Sequence, residues 1–221
     1  MSTQRVLVTG PYGEAGEAIR NHLDSKDAYE FTYLDRNDHA EYDTHVADIT
    51  DYNAIRPAFD GQDAVIHLAA QSDAGATFDE VIDPNIRGTY NVLEAVREAE
   101  VETFIFASSQ RVVGLYEDDH APELYESDYP SEFDPLRLDH RTLPKPDGYY
   151  GASKLFGENM CRIHARRDHA PEHVYSLRIS SVRTAEYDHP YGDAERGVAR
   201  SDDMQVADDE VWDQSQAGSW E

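Results

Sequence analysis

Three side chains in this sequence have the types and the spacing for proton transfer. Tyr150 and Lys154 stand four residues apart in Tyr150-Gly-Ala-Ser-Lys154, a spacing that sets both on one face of a helix. An ammonium beside a phenol favours the phenolate and lowers its pKa, which makes Tyr150 a proton acceptor near neutral pH. Ser109 closes the apolar run Val101–Ser109, where its hydroxyl is placed to hold and orient a substrate oxygen. A tyrosine and a lysine one helical turn apart are also common on helix surfaces, so the pattern alone is weak. Its weight comes from scarcity, since Lys26, Lys145 and Lys154 are the only lysines among 19 basic residues.

These groups need a scaffold that aims them at one point, and the first forty residues supply it. Arg5–Thr9 is a short β-branched run suited to a buried parallel strand. Gly10, Gly13 and Gly16 follow at three-residue spacing, and Glu14 to Leu23 has helical character. Glycine at the turn lets the main chain touch a phosphate, and the helix beginning at Glu14 and Ala15 points free N–H groups and a positive dipole end at it. Gly16, one turn in, allows close packing of helix on strand. The spacing is GxxGxxG, a modest signal by itself that a plain strand–turn–helix also explains. A second strand, Glu30–Leu34, ends at Asp35, whose carboxylate can accept hydrogen bonds from the ribose hydroxyls of a dinucleotide. Asp35 repels the extra phosphate of NADP and Arg36 partly accommodates it, so NAD is favoured with NADP still compatible.

The rest of the chain repeats the alternation. His45–Asp48 is a short strand running into a capped helix through Phe59; Asp48 is an adenine-amine acceptor or an ordinary loop acid, with Ile49 packing on the ring. Asp63–Ala70 is a nearly all-apolar strand ending in small residues, and Leu68, Ala69 and Ala70 leave room for a cofactor backbone. Gln71 and Ser72 follow where a ligand would lie. Phe78–Glu100 reads as one long helix broken near Pro84, with Asn85 a structural hydrogen-bonder rather than a group for chemistry. Residues 116–148 are polar and proline-rich, a length that suits a cover over a site or a mobile loop. Tyr149–Arg167 is a second long helix with Leu155, Phe156, Met160 and Ile163 toward the core. His173–Ile179 is a sixth strand, ending in Ser180 and Ser181. The order predicts an α/β fold with a doubly wound parallel sheet, which binds ligands beyond the carboxyl ends of its strands. Gly10–Gly16, Asp35, Gln71, Ser109 and Ser181 all fall at that edge.

A formal charge of −26 from 19 basic and 45 acidic residues argues against nucleic acid or an anionic membrane as partner. Acid spread along the whole length resembles proteins of salt-loving organisms. One cysteine, Cys161, permits no internal disulfide, which fits a reducing cytoplasm; it falls in an apolar helical pattern and reads as a core residue. Apolar runs are strand-length, with no signal peptide or membrane span, and no metal site is assigned. The expected organisation is a nucleotide-binding domain over 1–193 that includes the catalytic helix. An acidic, poorly ordered tail over 194–221 follows, with Trp212 and Trp220 isolated.

Together, Thr9-Gly-x-x-Gly-x-x-Gly16, Asp48, His67-Leu-Ala-Ala, Ser108-Ser109 and Tyr150-x-x-x-Lys154 resemble the extended short-chain dehydrogenase/reductase family. That is the NAD-dependent epimerase/dehydratase superfamily, Rossmann-type in fold, and the likeness covers roughly residues 5–190. Phe106–Arg111, Pro146–Asn159 and Leu177–Ser181 are similar to uronate dehydrogenases and related archaeal sugar dehydrogenases, which oxidise the anomeric carbon of a free sugar to a lactone. The resemblance implies that Tyr150 takes the anomeric proton, Lys154 holds the nicotinamide ribose, and Ser109 binds the reacting oxygen. It places Ser72, Gln110, Arg111 and Ser181 around the sugar and Val182 beside the nicotinamide. Arg111 and Gln110 stand where uronate dehydrogenases carry histidine and asparagine, and their carboxylate-gripping arginine corresponds here to Pro190. A neutral aldose, or a sugar phosphate read by Arg111, is therefore as compatible as a uronate; Arg183 and Arg196 are candidate substitutes for the missing arginine. Family members continue with further strands and helices on the sugar side, so a short or incomplete substrate region is expected here. Two other functions fit the same motifs: a nucleotide-sugar epimerase or dehydratase, and a non-catalytic NAD-binding protein. Pairing of the two long helices between subunits in this family implies a homo-oligomer.

Overall fold

A computed structural model describes residues 3–23, 26–39, 42–117, 119, 138–167, 169, 171–180 and 182. The expected boundary at 193, the acidic tail, Ser181, Arg183, Pro190 and Arg196 lie outside the described residues, as does most of the proline-rich stretch. Six strands form one parallel sheet in the order β3-β2-β1-β4-β5-β6: β1 Gln4–Thr9, β2 Tyr29–Asp35, β3 Thr44–Val46, β4 Ala64–His67, β5 Thr103–Ser109 and β6 His173–Ile179. Val6, Leu7 and Val8 are all buried, as a strand covered on both faces requires. The order reverses between β1 and β4, which opens a crevice beyond their carboxyl ends.

Helix α1 (Glu14–Leu23) follows β1. Helix α2 (Tyr52–Ile55) is capped by Asp51, whose carboxylate accepts from the Ala54 N–H at 3.2 Å, and it tightens into a 3-10 turn at Arg56–Phe59. One face of the sheet holds the main core, where Leu7, Leu34, Val65, Phe104 and Phe106 pack with Ile55, Phe59, Val92, Leu93, Val96 and Cys161. The other carries Val6, Val8 and Tyr33. Cys161 is the core residue expected, 2% exposed, and burial pushes its thiol up to about 11.

The expected break near Pro84 takes the form of a π-helical interruption of the α-helix. Helix α3 (Phe78–Val81) runs into a π-helical segment, Ile82–Gly88, and straight on into α4 (Thr89–Glu98). Proline lacks the N–H that an α-helix interior uses, and the wider π turn absorbs that loss without ending the helix. Strand β5 starts at Thr103, two residues later than the apolar run suggests, because Glu100 with φ +55° closes α4 and the Val101 N–H returns to the Val96 carbonyl at 3.1 Å.

The last long helix, α5 (Tyr149–His164), faces the sheet differently from its apolar pattern. Its buried residues are Gly151, Ser153, Lys154, Gly157, Glu158, Cys161 and His164, while Leu155, Phe156 and Met160 are half-buried and Ile163 is exposed. The small residues let the helix approach β5 so closely that a Cβ on Gly157 would overlap the Phe106 ring. Glu158, 3% exposed, accepts from Ser108 Oγ at 2.7 Å and from Arg178 Nε and Nη2 at 2.8 and 3.0 Å, tying α5 to β5 and β6. Gly157→Ala therefore forces helix or ring to move and is expected to cost about 1–3 kcal/mol, read as a lower denaturant midpoint at unchanged slope. An unchanged midpoint would contradict this close approach.

Candidate active site

The β1–α1 turn is shaped to leave backbone accessible. Gly10 has φ +67°, and a Cβ there would lie 2.6 Å from Ala69 Cα; its N–H donates to the Leu34 carbonyl at 2.9 Å. Gly13 is exposed with nothing within 4 Å of a Cβ position, so the space above the turn is open, and Glu14 and Ala15 begin the helix beside it. Gly16 is buried against the Pro11 carbonyl. The register pairs Thr9 with Leu34, which sets Asp35 at the strand end beside Gly10. One Asp35 oxygen accepts from the Asn37 N–H at 3.0 Å, Arg36 next to it is exposed, and Leu68, Ala69 and Ala70 are half-buried just past β4. An open glycine turn at a helix N-terminus with an acid at the next strand end fits the diphosphate and ribose of a dinucleotide.

The two residues expected at the adenine follow β3. Asp48 is exposed, with Oδ1 accepting from the Thr50 N–H at 2.8 Å as a turn acid does. Ile49 is 7% exposed and packs into the main core against Gly88. A residue not anticipated, Tyr12 in the glycine turn, crosses to the β2–β3 loop. Its ring stacks on His39 with centroids 3.3 Å apart, its hydroxyl bonds with Thr44 Oγ1, and the Arg20 guanidinium lies 5.0 Å from its centroid. An aromatic between two turn glycines was the signal for it.

At the other end of the crevice, Tyr150 stands beside Ser109, which is 6% exposed. Lys154, 5% exposed, donates from Nζ to the Ala107 carbonyl at 2.9 Å and lies 5.7 Å from the Tyr150 ring centroid. Burial drives the two groups apart: it raises the phenol above its usual 10, and it brings the ammonium down to about 8. What counters burial at the phenol is the nearby Ser109 hydroxyl and the Arg111 charge, not Lys154 as the spacing alone suggests. His67 is 1% exposed and bonds Thr9 and Thr89 at 2.7 and 3.3 Å; burial, with the Lys154 charge, pushes it down to about 3 and keeps it neutral.

Asn85 positions more than its sequence context suggests. In the π segment it is 2% exposed; its amide donates to the Gln71 carbonyl at 3.0 Å and to Ser153 Oγ at 2.8 Å, and its oxygen accepts from the Gln71 N–H at 2.7 Å. Ser153 Oγ in turn donates to the Tyr150 carbonyl at 2.7 Å. A proline inside a helical run, next to an amide, was the available signal. Gln110 accepts from Ser180 Oγ at 2.8 Å, Arg111 pairs with Asp147 at 2.6 Å, Ser72 is exposed on its loop, and Val182 is half-buried. Among the described residues no helix is long and apolar enough to cross a membrane.

A model of the NAD dependent epimerase/dehydratase family matches residues 6–193. An NAD-dependent glucose-6-phosphate dehydrogenase of Haloferax volcanii is 39% identical over 206 residues, covering 89% of this chain and 74% of that protein. An L-arabinose 1-dehydrogenase (NAD(P)(+)) of the same organism is 36% identical over 198 residues, with 89% and 74% covered. Uronate dehydrogenase from Agrobacterium tumefaciens, solved as a mutant complexed with NAD, shares the fold with a TM-score of 0.60 at 29% identity, over 76% of this chain and 58% of that one. The chain thus spans 74% of the length of these curated relatives and 58% of the solved enzyme. The match runs from the first strand past the last one described, and the chain belongs to the NAD dependent epimerase/dehydratase family.

Proposed function

We propose that this chain oxidises the anomeric carbon of a free sugar to a lactone, with NAD as the preferred acceptor and NADP accommodated through Arg36. The observation that carries the reading is the placing of the Tyr150 phenol beside Ser109 at the end of β5, with the Lys154 ammonium buried nearby on the Ala107 carbonyl. Gly10, Gly13, Glu14, Ala15, Gly16 and Asp35 hold the cofactor, with Leu68, Ala69 and Ala70 along its backbone. NAD, when bound, supplies the acceptor for the hydride leaving C1.

The anomeric O–H proton passes to Tyr150 Oη as the C1–H bond breaks and the C1=O bond forms. Ser109 Oγ donates to the same sugar oxygen and keeps it in reach of the phenolate. Lys154 holds the nicotinamide ribose and adds positive charge near the phenolate that develops. Ser72, Gln110, Arg111 and Ser181 line the sugar, and Val182 borders the nicotinamide. Two Haloferax volcanii relatives named as sugar dehydrogenases, together with the −26 charge, support a sugar substrate and a host rich in salt.

The reading is tested by NADH absorbance in concentrated KCl, with aldoses, uronates and hexose phosphates against NAD and NADP. Net reduction by one sugar class is expected; folded protein that reduces nothing would overturn it. Tyr150→Phe is expected to lower kcat by about 10²–10⁴, the usual contribution of a positioned acid–base group, with NAD affinity within about twofold of the parent. Because burial holds the phenol above its usual pKa, kcat/KM should rise steadily from neutral into alkaline pH; a fall across that range would remove Tyr150 as the base. Asp35→Ala should narrow the preference for NAD over NADP, and an unchanged ratio would take Asp35 off the ribose.

Lys154 gives a stability test of opposite sign to its activity. Its folded pKa of about 8 lies below the 10.5 usual for a lysine, so the penalty for burying the charge is fully present below pH 8 and fades as pH rises through 10.5. That penalty is about 3 kcal/mol. Lys154→Met should therefore raise the melting temperature of the cofactor-free protein at pH 7 by several degrees while removing turnover. A lower melting temperature would show that the bond to Ala107 outweighs the cost of burial.

A further inference from the structure

Two hydroxyls that must act on one sugar oxygen arrive on different elements: Ser109 ends β5 and Tyr150 opens α5. The 3-10 turn Gln110–Val113 stands between them. The Arg111 N–H donates to Ser109 Oγ at 3.1 Å, and the Arg111 guanidinium grips Asp147 Oδ2 at 2.6 Å, three residues before Tyr150. Asp147 is a fixed anchor, 11% exposed in its side chain. Its carboxylate fills the space that a Cβ on Gly114 would need, and a Cβ on Gly151 would press on the Arg111 carbonyl and lie 3.2 Å from Asp147 Oδ1. Two backbone bonds bring the anchor to the turn: Lys145 N–H to the Val112 carbonyl at 2.9 Å, and Leu115 N–H to the Lys145 carbonyl at 3.0 Å.

We infer that the Arg111–Asp147 pair is a positioning clamp, which fixes the separation of the Ser109 and Tyr150 hydroxyls and sets the charge beside the phenol. Arg111 is held for this task rather than left as a reader of anionic sugars. An incoming carboxylate or phosphate meets a charge already compensated by Asp147. The groups acting on the phenol are Ser109 from β5 and Arg111 from the 3-10 turn, while the Lys154 ammonium of its own helix lies 5.7 Å from the ring centroid. On the other elements packed against α5, Asp83 and Arg87 of the π segment pair with each other at 3.3 Å, Glu80 of α3 caps Thr77, and Asp79 is exposed.

The inference rests on the dehydrogenase reading for its kinetic effects, and its test has a readout that does not. The Tyr150 phenol is titrated by the carbon-13 shift of ring-labelled tyrosine, assigned by loss of the resonance in Tyr150→Phe, while kcat is measured with the best sugar. Arg111→Gln removes a positive charge and should raise the Tyr150 pKa by about one unit, the low end for a charge in this range. Asp147→Asn removes a negative charge beside Arg111 and should lower it. Arg111→Lys keeps the charge without the fork, so its titration should match the parent. All three should lower kcat about tenfold or more through misplaced hydroxyls, with NAD affinity unchanged. Shifts of the same sign for Arg111→Gln and Asp147→Asn, or no shift in either, would overturn the clamp even if turnover fell. Parent-like kcat in all three would overturn it on its own. A parent enzyme inactive toward every sugar would instead sink the dehydrogenase reading and leave the titration to decide the clamp.

Discussion

A buried carboxylate decides how the catalytic helix sits. Glu158 lies two turns beyond Tyr150 on the inner face of α5, 3% exposed, where an unpaired charge would be strongly unfavourable. Burial alone would raise its pKa, but the Arg178 fork, the Ser108 hydroxyl and the Arg162 charge outweigh that and hold it ionised below the usual range. Its partners come from β5, β6 and its own helix, so only one rotation of α5 satisfies them all. That rotation sets Lys154, one turn earlier, on the Ala107 carbonyl and brings Tyr150, one turn earlier again, beside Ser109. Three residues in a row on β5 thus meet three at fourfold spacing on α5, with Ser109 and Tyr150 at the carboxyl end of the strand.

The same constraint explains why the helix buries polar and small residues. Gly151 and Gly157 bring the backbone in against the Arg111 carbonyl and the Phe106 ring, leaving no depth for large apolar side chains, which lie toward the flanks. Close approach also makes burial the main force on the titrating groups. The phenol is pushed up, away from neutral pH, and the ammonium down toward it, while the Ser109 hydroxyl and the Arg111 charge work against burial at the phenol.

The sheet was legible because parallel strands buried on both faces write continuous apolar runs, and glycines mark the turns at their carboxyl ends. All six strands were found within a few residues, and Gly10, Asp35, Ser109 and Tyr150 fall at one edge as their positions suggest. What stayed hidden depends on partners far apart in sequence. The α5 face could not be read from periodicity, since its inner residues follow Tyr150, Lys154 and Glu158 rather than Leu155, Phe156 and Ile163. The π segment depends on how the chain absorbs Pro84. Ile49 packs under Gly88, far along the chain. The Arg111–Asp147 and Tyr12–His39 contacts join loops that local pattern reading treats separately.

The central claim is hydride loss from C1 of a free sugar to NAD, with the proton taken at Tyr150. It is tested most directly with sugar deuterated at C1, by following where the label goes. The account predicts slower reduction with the labelled sugar, deuterium in the reduced nicotinamide, and lactone as the oxidised product. Deuterium retained on a sugar whose configuration has changed elsewhere, with no net reduced cofactor, would contradict it.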